Sequence, residues 1–115
     1  MLKVYRHNIH LRNLYTMDVT IKSGVSWLAP TWELVMGYKN GSITKEEYIR
    51  RYVEILDKSV ENFPDKWARL LQKEIVILTC YCPNHAEFCH TEVLGKYLER
   101  FGAKYEGLWE YTDWR

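Results

Sequence analysis

Apolar and polar residues alternate at the start of the chain, and this pattern predicts two short strands. Residues 2–6 read LKVYR, and residues 15–22 read YTMDVTIK. A period of two is typical of a strand that buries one face. The second pattern stops at Ser23-Gly24, a dipeptide typical of turns.

Apolar residues spaced three and four apart predict helices in the next part of the chain. Residues 32–41 (WELVMGYKNG) read as a short helix that ends at Asn-Gly. Thr44 and Glu47 form a capping-box pattern, in which hydroxyl and carboxylate each satisfy an exposed amide of the first turn. The helix that this pattern opens has one apolar face, and residues 65–74 (DKWARLLQKE) predict a further amphipathic helix.

A continuous apolar run at residues 75–80 (IVILTC) predicts a central strand that is covered on both faces. Beyond a cysteine-rich segment, apolar residues mark one face of a helix that ends at Gly102, and residues 104–111 (KYEGLWEY) supply a last strand. Strand, loop, helix and strand within about 35 residues are typical of a βαβ unit with a parallel strand pair.

The chain is therefore predicted to be a single α/β domain over residues 1–115, with a small, mostly parallel sheet flanked by helices in three layers. A length of 115 residues suits one domain. In the alternative, α+β arrangement, residues 15–29 form an antiparallel hairpin at one edge of the sheet.

The overall charge is nearly balanced, with 16 basic and 15 acidic residues and a net charge of +1. This balance gives no general attraction to nucleic acid or to a membrane surface. No apolar run approaches the length of a membrane span, and the start MLKVYRHNIH lacks the apolar stretch of a signal peptide. We therefore expect a cytoplasmic protein without a membrane partner.

All three cysteines and two of the four histidines lie in CYCPNHAEFCH, residues 80–90. The loop after a parallel strand is where α/β sheets usually bind ligands. The amides at the start of the next helix stabilise a thiolate or a bound anion. The segment therefore predicts one crowded site at the carboxyl end of strand 75–80.

Three interpretations of this segment stay open. Cys80, Cys82 and Cys89 with His85 or His90 would supply four zinc ligands, although C-x-C-x6-C-H is not a common zinc spacing. Cys82 or Cys89 near a helix start, beside a histidine, has the surroundings of a reactive thiol. Cys80 ends an apolar run and is expected to be a buried core residue, since free cysteine is often buried.

The segment ILTCYCPNHAEFCHTEVLGKYL resembles the signature of the YeaO-like family, a group with a domain of unknown function. Members carry a strand that ends in a Cys-aromatic-Cys or similar turn, then a Cys-His pair that opens a helix. LAPTWELVMGYKNGSITKEEYIRRY and MDVTIKSG also resemble that family, so the resemblance extends from about residue 18 to residue 98.

The resemblance implies an α/β fold and a set of positions, without a reaction. These positions are Cys80, Cys82, Cys89 and His90, with a second cluster at Asp18, Pro30, Thr31 and Trp32. Many relatives follow Cys-His with arginine, where this chain has Thr91. If that arginine binds an anion, the cation here must come from elsewhere, with Arg6, His7 and Arg12 as candidates.

The leading hypothesis is a site that binds a small anionic, phosphate-bearing ligand such as a nucleotide, with thiol chemistry and without metal or cofactor. The catalytic candidates are Cys82, Cys89 and His90. The ligand-binding candidates are Arg6, His7, Asp18, Thr31, Trp32 and Thr91. For several of these, surface exposure, helix capping or core packing is an equally good explanation.

The alternative hypothesis is a non-enzymatic module that binds protein or nucleic acid. It is either plainly globular or stapled by zinc through Cys80, Cys82, Cys89 and His85. The aromatic end GLWEYTDWR leaves a homo-oligomer open as well.

Overall fold

A computed structural model describes residues 1–82 and 88–110 of the chain. Its strands are β1 (Lys3–Asn8), β2 (Thr16–Asp18), β3 (Ile75–Cys80) and β4 (Lys104–Leu108). Its α-helices are α1 (Trp32–Lys39), α2 (Lys45–Asn62), α3 (Pro64–Leu71) and α4 (His90–Leu98), with short 3-10 turns at Ser26–Leu28 and Glu99–Phe101.

The strands form one sheet in the order β2-β3-β1-β4, and every pairing within the described residues is parallel. These elements confirm the predicted α/β class and agree with a three-layer arrangement. The predicted strand–helix–strand unit is present as β3, α4 and β4. Its two strands are parallel without being neighbours, because β1 lies between them.

The antiparallel hairpin considered for residues 15–29 is not what this segment forms. β2 has three residues and pairs in parallel with β3, with Asp18 opposite Thr79. The chain then turns back tightly, and Val25 N–H donates to the carbonyl of Asp18 at 2.8 Å. At Gly24 a Cβ atom would lie 2.5 Å from the same carbonyl oxygen, so the turn requires glycine.

The start of α2 follows half of the predicted capping box. The Thr44 hydroxyl accepts a hydrogen bond from the Glu47 amide at 3.1 Å. The Glu47 carboxylate, predicted to bond back to the cap, instead accepts hydrogen bonds from Arg50 and Arg51. A guanidinium is a charge-assisted donor, and it competes well against one backbone amide for the same carboxylate.

The core lies between the sheet and the helices and includes several polar side chains that are hydrogen-bonded. The Tyr52 hydroxyl donates to the Leu28 carbonyl. Trp67 Nε1 donates to the Ser59 hydroxyl at 2.9 Å, and that hydroxyl donates onward to the Trp27 carbonyl. These bonds attach α2 and α3 to the segment before α1 without leaving buried donors unpaired.

No helix in the described part of the chain combines the length and the apolar character needed to cross a membrane.

Three strands end together at one edge of the sheet, called the carboxyl edge below. Asn8 at the end of β1 lies opposite Cys80 at the end of β3, and β2 ends opposite Thr79. Helix α4 begins at the same edge, with Cys89 as its N-cap. Cys80 and Cys89 are therefore both at the carboxyl edge, where the sequence predicts them.

Candidate thiol site

The three cysteines come together in one cluster, called the thiol cluster below. Their sulfur atoms all lie within 4.8 Å of one another, and the sulfurs of Cys80 and Cys89 are 2.8 Å apart. All three thiols are free. Cys80 and Cys89 are buried, whereas Cys82 is half-buried. Cys80 thus lies in the interior, as its apolar run suggests, and it also belongs to the site.

His90 has a fixed orientation beside this cluster. Its Nε2 atom lies 2.9 Å from the Val19 carbonyl oxygen, and since a carbonyl only accepts, Nε2 carries the proton of this bond. In the neutral ring the lone pair is then on Nδ1, which lies 4.0 Å from Cys89 Sγ. His90 therefore presents an acceptor atom to the thiol cluster.

Hydrogen bonds among the three thiols shift their pKa values in different directions. Hydrogen bonds from the Cys80 and Cys82 thiols lower the pKa of Cys89, and His90 adds to this effect. The pKa of Cys80 is raised by its hydrogen bonds to Cys82 and Cys89 and by burial. For Cys82, the Cys80 thiol lowers the pKa, but its bond to Cys89 and burial raise it on balance. Negative charge in the cluster is thus favoured on Cys89.

Aromatic side chains of α2 cover one side of the cluster. Burial raises the pKa of Tyr48, and the nearby sulfurs raise it further, so the hydroxyl stays protonated. The Tyr52 ring lies 6.0 Å from the His90 ring, and the Tyr48 ring lies 5.2 Å from that of Phe88. Sequence reasoning placed both tyrosines on the apolar face of α2, and no local signal relates them to residues 80–90.

Asn8 links the end of β1 to the cysteine segment. Its side-chain amide donates to the Cys82 carbonyl at 3.1 Å, while its side-chain oxygen accepts from the His10 amide at 2.9 Å. This bond fixes the backbone directly after β3. Asn8 was not predicted as a site residue, because only the pairing of β1 with β3 brings it there.

Within the described residues the amino end of α4 has no side-chain cap, unlike the starts of α1 and α2, where Thr31 and Thr44 accept from backbone amides. In the first turn of α4, Thr91 is fully buried, and its hydroxyl has no hydrogen-bond partner within the described residues. Free amides at a helix start attract negative charge. The backbone amides give this helix start a positive partial charge, and the acidic Glu92 lies in the same turn.

Arg6 and His7 both lie within β1, which extends to Asn8, two residues beyond the end of the predicted strand 2–6. Arg6 is opposite Leu78 and His7 is opposite Thr79. The Arg6 guanidinium hydrogen-bonds the Tyr105 hydroxyl. The charge of Cys89 also raises the pKa of Tyr105. Burial raises the pKa of Tyr105 to about 12, against the lowering effect of Arg6. Arg6 is thus near Tyr105, whose ring lies against Gly95 in the middle of α4.

Asp18 lies at the carboxyl edge with its carboxylate already occupied. Its oxygens accept from the Thr20 amide and hydroxyl at 2.9 and 2.7 Å and from the Ser23 hydroxyl at 2.6 Å. These bonds hold the turn after β2. The Ser23 hydroxyl is in turn 3.5 Å from that of Tyr81, one residue after Cys80.

The remaining candidates are at the start of α1 or outside the described residues. The Thr31 hydroxyl caps α1, and Trp32 is 61% exposed. Thr31 lines a cleft of about 330 Å³ between α1 and α2, whose lining contains no cysteine. His85 falls outside the described residues.

Comparison with known proteins identifies the family of this chain but no individual relative. The family model described as the active DUF488-N3 subclade matches residues 6–102. No curated protein and no solved structure matches the chain. The matched range includes the end of β1, the thiol cluster and the whole of α4.

Proposed function

This chain belongs to the YeaO-like DUF488 family, and on that premise we propose that it binds a phosphate-bearing anion of the nucleotide class at the carboxyl edge, beside a reactive thiol. The matched subclade carries the description "active", which names no reaction. An enzymatic role for the thiol fits that description.

The observation that carries the proposal is the unequal exposure of three adjacent thiols. Cys80 and Cys89 are buried, and only Cys82 is open enough to reach a ligand. Cys82 therefore makes the direct contact with the ligand, while the thiolate charge is favoured on the adjacent, buried Cys89. The sulfur of Cys89 lies beside that of Cys82 in the thiol cluster. His90, whose ring is fixed by its hydrogen bond to Val19, orients Cys89.

The preference for an anion follows from the groups around Cys82. In the described part of the chain, the amino end of α4 presents backbone amides without a side-chain cap. Arg6 lies near Tyr105, and Lys39 is close enough to Cys82 to act on its charge. A phosphate group matches amides and cations together, because it offers several strong acceptor oxygens. Arg6 is the cation we propose in place of the arginine that the family resemblance implies at position 91.

Limited alkylation of metal-free, reduced full-length protein tests this function. With substoichiometric iodoacetamide and peptide mass spectrometry, Cys82 is expected to be labelled before Cys80 and Cys89. Adenosine monophosphate is expected to protect Cys82, and inorganic phosphate to protect it more weakly. Equal labelling of all three thiols, or labelling unaffected by either anion at millimolar concentration, contradicts the proposal.

A matched pair of charge variants locates the anion. Arg6→Gln is expected to weaken the protection by adenosine monophosphate at least about tenfold, the effect of losing one charge-assisted contact. Arg69→Gln on α3 removes an exposed arginine far along the chain from the site and should leave protection unchanged. Equal behaviour of the two variants would exclude Arg6 as the anion contact.

A further inference from the structure

We propose that Cys80, Cys82, Cys89 and Nδ1 of His90 form a four-ligand site for a soft divalent cation of the Zn²⁺ type. This inference concerns the same thiol cluster as the proposed function. A bound metal would occupy the sulfur that otherwise faces the anion, so the metal-bound and anion-reactive forms are two states of one cluster.

The sulfur positions are close to those of a tetrahedral thiolate site. With Zn–S bonds of about 2.3 Å, adjacent sulfurs of a tetrahedron are about 3.8 Å apart. The three sulfurs of the thiol cluster lie within 4.8 Å of one another, a limit that includes this tetrahedral separation. The Cys80 and Cys89 sulfurs, now 2.8 Å apart, would separate by about 1 Å around a metal. Small side-chain rotations of the cysteines supply such a change.

We assign the fourth ligand to His90 on its distance to one of the three sulfurs, since the cysteine sulfurs alone form the described group within 4.8 Å of one another. A tetrahedral zinc site with one nitrogen ligand has sulfur–nitrogen distances of about 3.6 Å. Cys89 Sγ and His90 Nδ1 are 4.0 Å apart. Nε2 donates to the Val19 carbonyl, which fixes the tautomer with the lone pair on Nδ1. A histidine that ligates a metal with one nitrogen and bonds a backbone carbonyl with the other is the usual arrangement in metal sites.

The chemistry of the four atoms selects the class of metal. Thiolate and imidazole ligands favour Zn²⁺ and similar ions over Mg²⁺ and Ca²⁺, which prefer oxygen. Three thiolates and one dication leave a single negative charge. The amino end of α4 and the neighbouring Lys39 both stabilise that charge.

The site would also join segments that are distant in the sequence. Cys80 ends β3, Cys89 caps α4, and His90 is bonded to the residue that follows β2. A metal here would therefore hold the cysteine segment against two strands and a helix. Metal binding to such a site contributes directly to folding stability.

Cobalt substitution tests the metal site without any activity assay. Reduced, chelator-treated full-length protein is titrated with Co²⁺ and then with Zn²⁺. The expected result is one cobalt per chain, with thiolate-to-cobalt charge-transfer absorption and intense d–d bands typical of tetrahedral geometry, all displaced by zinc. Absence of the charge-transfer band in the unmodified protein overturns the proposal, whatever the variants do.

Two histidine variants, compared side by side, test which residue is the fourth metal ligand. His90→Ala is expected to weaken Zn²⁺ binding at least about tenfold and to reduce the intensity of the d–d bands. His85→Ala serves as the matched control and should bind as the unmodified protein does. Loss of binding in His85→Ala with retention in His90→Ala overturns the assignment of His90. If circular dichroism finds His90→Ala unfolded, the same comparison is made with His90→Gln.

The outcome is separable from that of the proposed function. Protection of Cys82 by adenosine monophosphate is measured with metal removed, whereas the cobalt spectrum is measured without anion. Without the cobalt charge-transfer band the metal site fails, even if adenosine monophosphate protects Cys82 from alkylation. Without that protection the anion site fails, even if the cobalt band is present.

Discussion

His90 Nε2 donates to the carbonyl oxygen of Val19 at 2.9 Å, across 71 residues of sequence. Val19 directly follows β2, and its own amide donates to the Thr79 carbonyl of β3 at 3.1 Å. This residue thus joins the outer strand to the first turn of α4. The same bond sets which imidazole nitrogen faces the thiol cluster.

Replacement of His90 by phenylalanine is expected to destabilise the metal-free protein by about 1–3 kcal/mol, because the buried Val19 carbonyl loses its donor. The aromatic ring keeps most of the packing against Tyr52. Urea denaturation in the presence of a chelator measures the change. His10→Phe, at an exposed position, is the control and should shift the free energy of unfolding by less than about 0.5 kcal/mol.

Thr44→Ala is expected to cost about 1 kcal/mol, since the first turn of α2 loses its cap. Glu47→Gln should cost less than about 0.5 kcal/mol, because the carboxylate binds exposed arginines and does not complete a capping box. Thermal denaturation of both variants at two salt concentrations checks this. A larger loss of stability from Glu47→Gln that is insensitive to salt would contradict the assignment of this carboxylate to exposed ion pairs.

Gly95→Ala is expected to destabilise the protein by about 1–3 kcal/mol, because the added Cβ would lie 2.3 Å from the Tyr105 ring and force it to move. The ring of Tyr105 packs between α4 and β4 at this point. Tyr105→Leu in the same chain should recover part of the loss, so the double variant is more stable than the sum of the single effects implies. Additive effects in chemical denaturation would exclude this close contact.

Asp18 predicts an acid-dependent loss of stability. Although burial raises its pKa, hydrogen bonds from Ser23 and Thr20 outweigh burial and lower the pKa below its usual range. The folded-state pKa is thus below the unfolded one, so the contribution is complete at neutral pH and is lost as the pH falls through the carboxyl range. In Asp18→Asn, the free energy of unfolding should decline less between about pH 5 and pH 3 than in the unmodified protein.

The control for this pH dependence is Glu61→Gln, which removes an exposed carboxylate near the end of α2. Its unfolding profile is expected to run parallel to that of the unmodified protein. If Asp18→Asn follows the same profile, the hydrogen bonds of the turn after β2 do not depend on the charge of Asp18.

Much of the fold was predictable because its signals are local. The apolar run IVILTC depends only on neighbouring residues, and β3 occupies the predicted range Ile75–Cys80. The start of α4 at Cys89-His90 and the position of the cysteines at the end of a strand were also predicted. The YeaO-like resemblance, confirmed by the family match, identified the same segment.

Strand order could not be predicted in the same way. The pattern indicates that β3 and β4 are parallel, but β1 enters between them, and only the packing of the whole sheet decides that. For the same reason the first strand was predicted to end at Arg6, before His7. β1 extends to Asn8 because its last residues pair with the end of β3.

By itself, the sequence determined the α/β class, the position of the cysteine segment between a buried strand and a helix, and the residues available for chemistry. The tertiary structure alone decided which sulfurs approach each other, that Cys82 is the more open thiol, and that Val19 and Tyr48 belong to the surroundings of the site. The physical reason is range. Periodicity and capping act between residues a few positions apart, whereas a site depends on contacts between segments that meet only when the whole core packs.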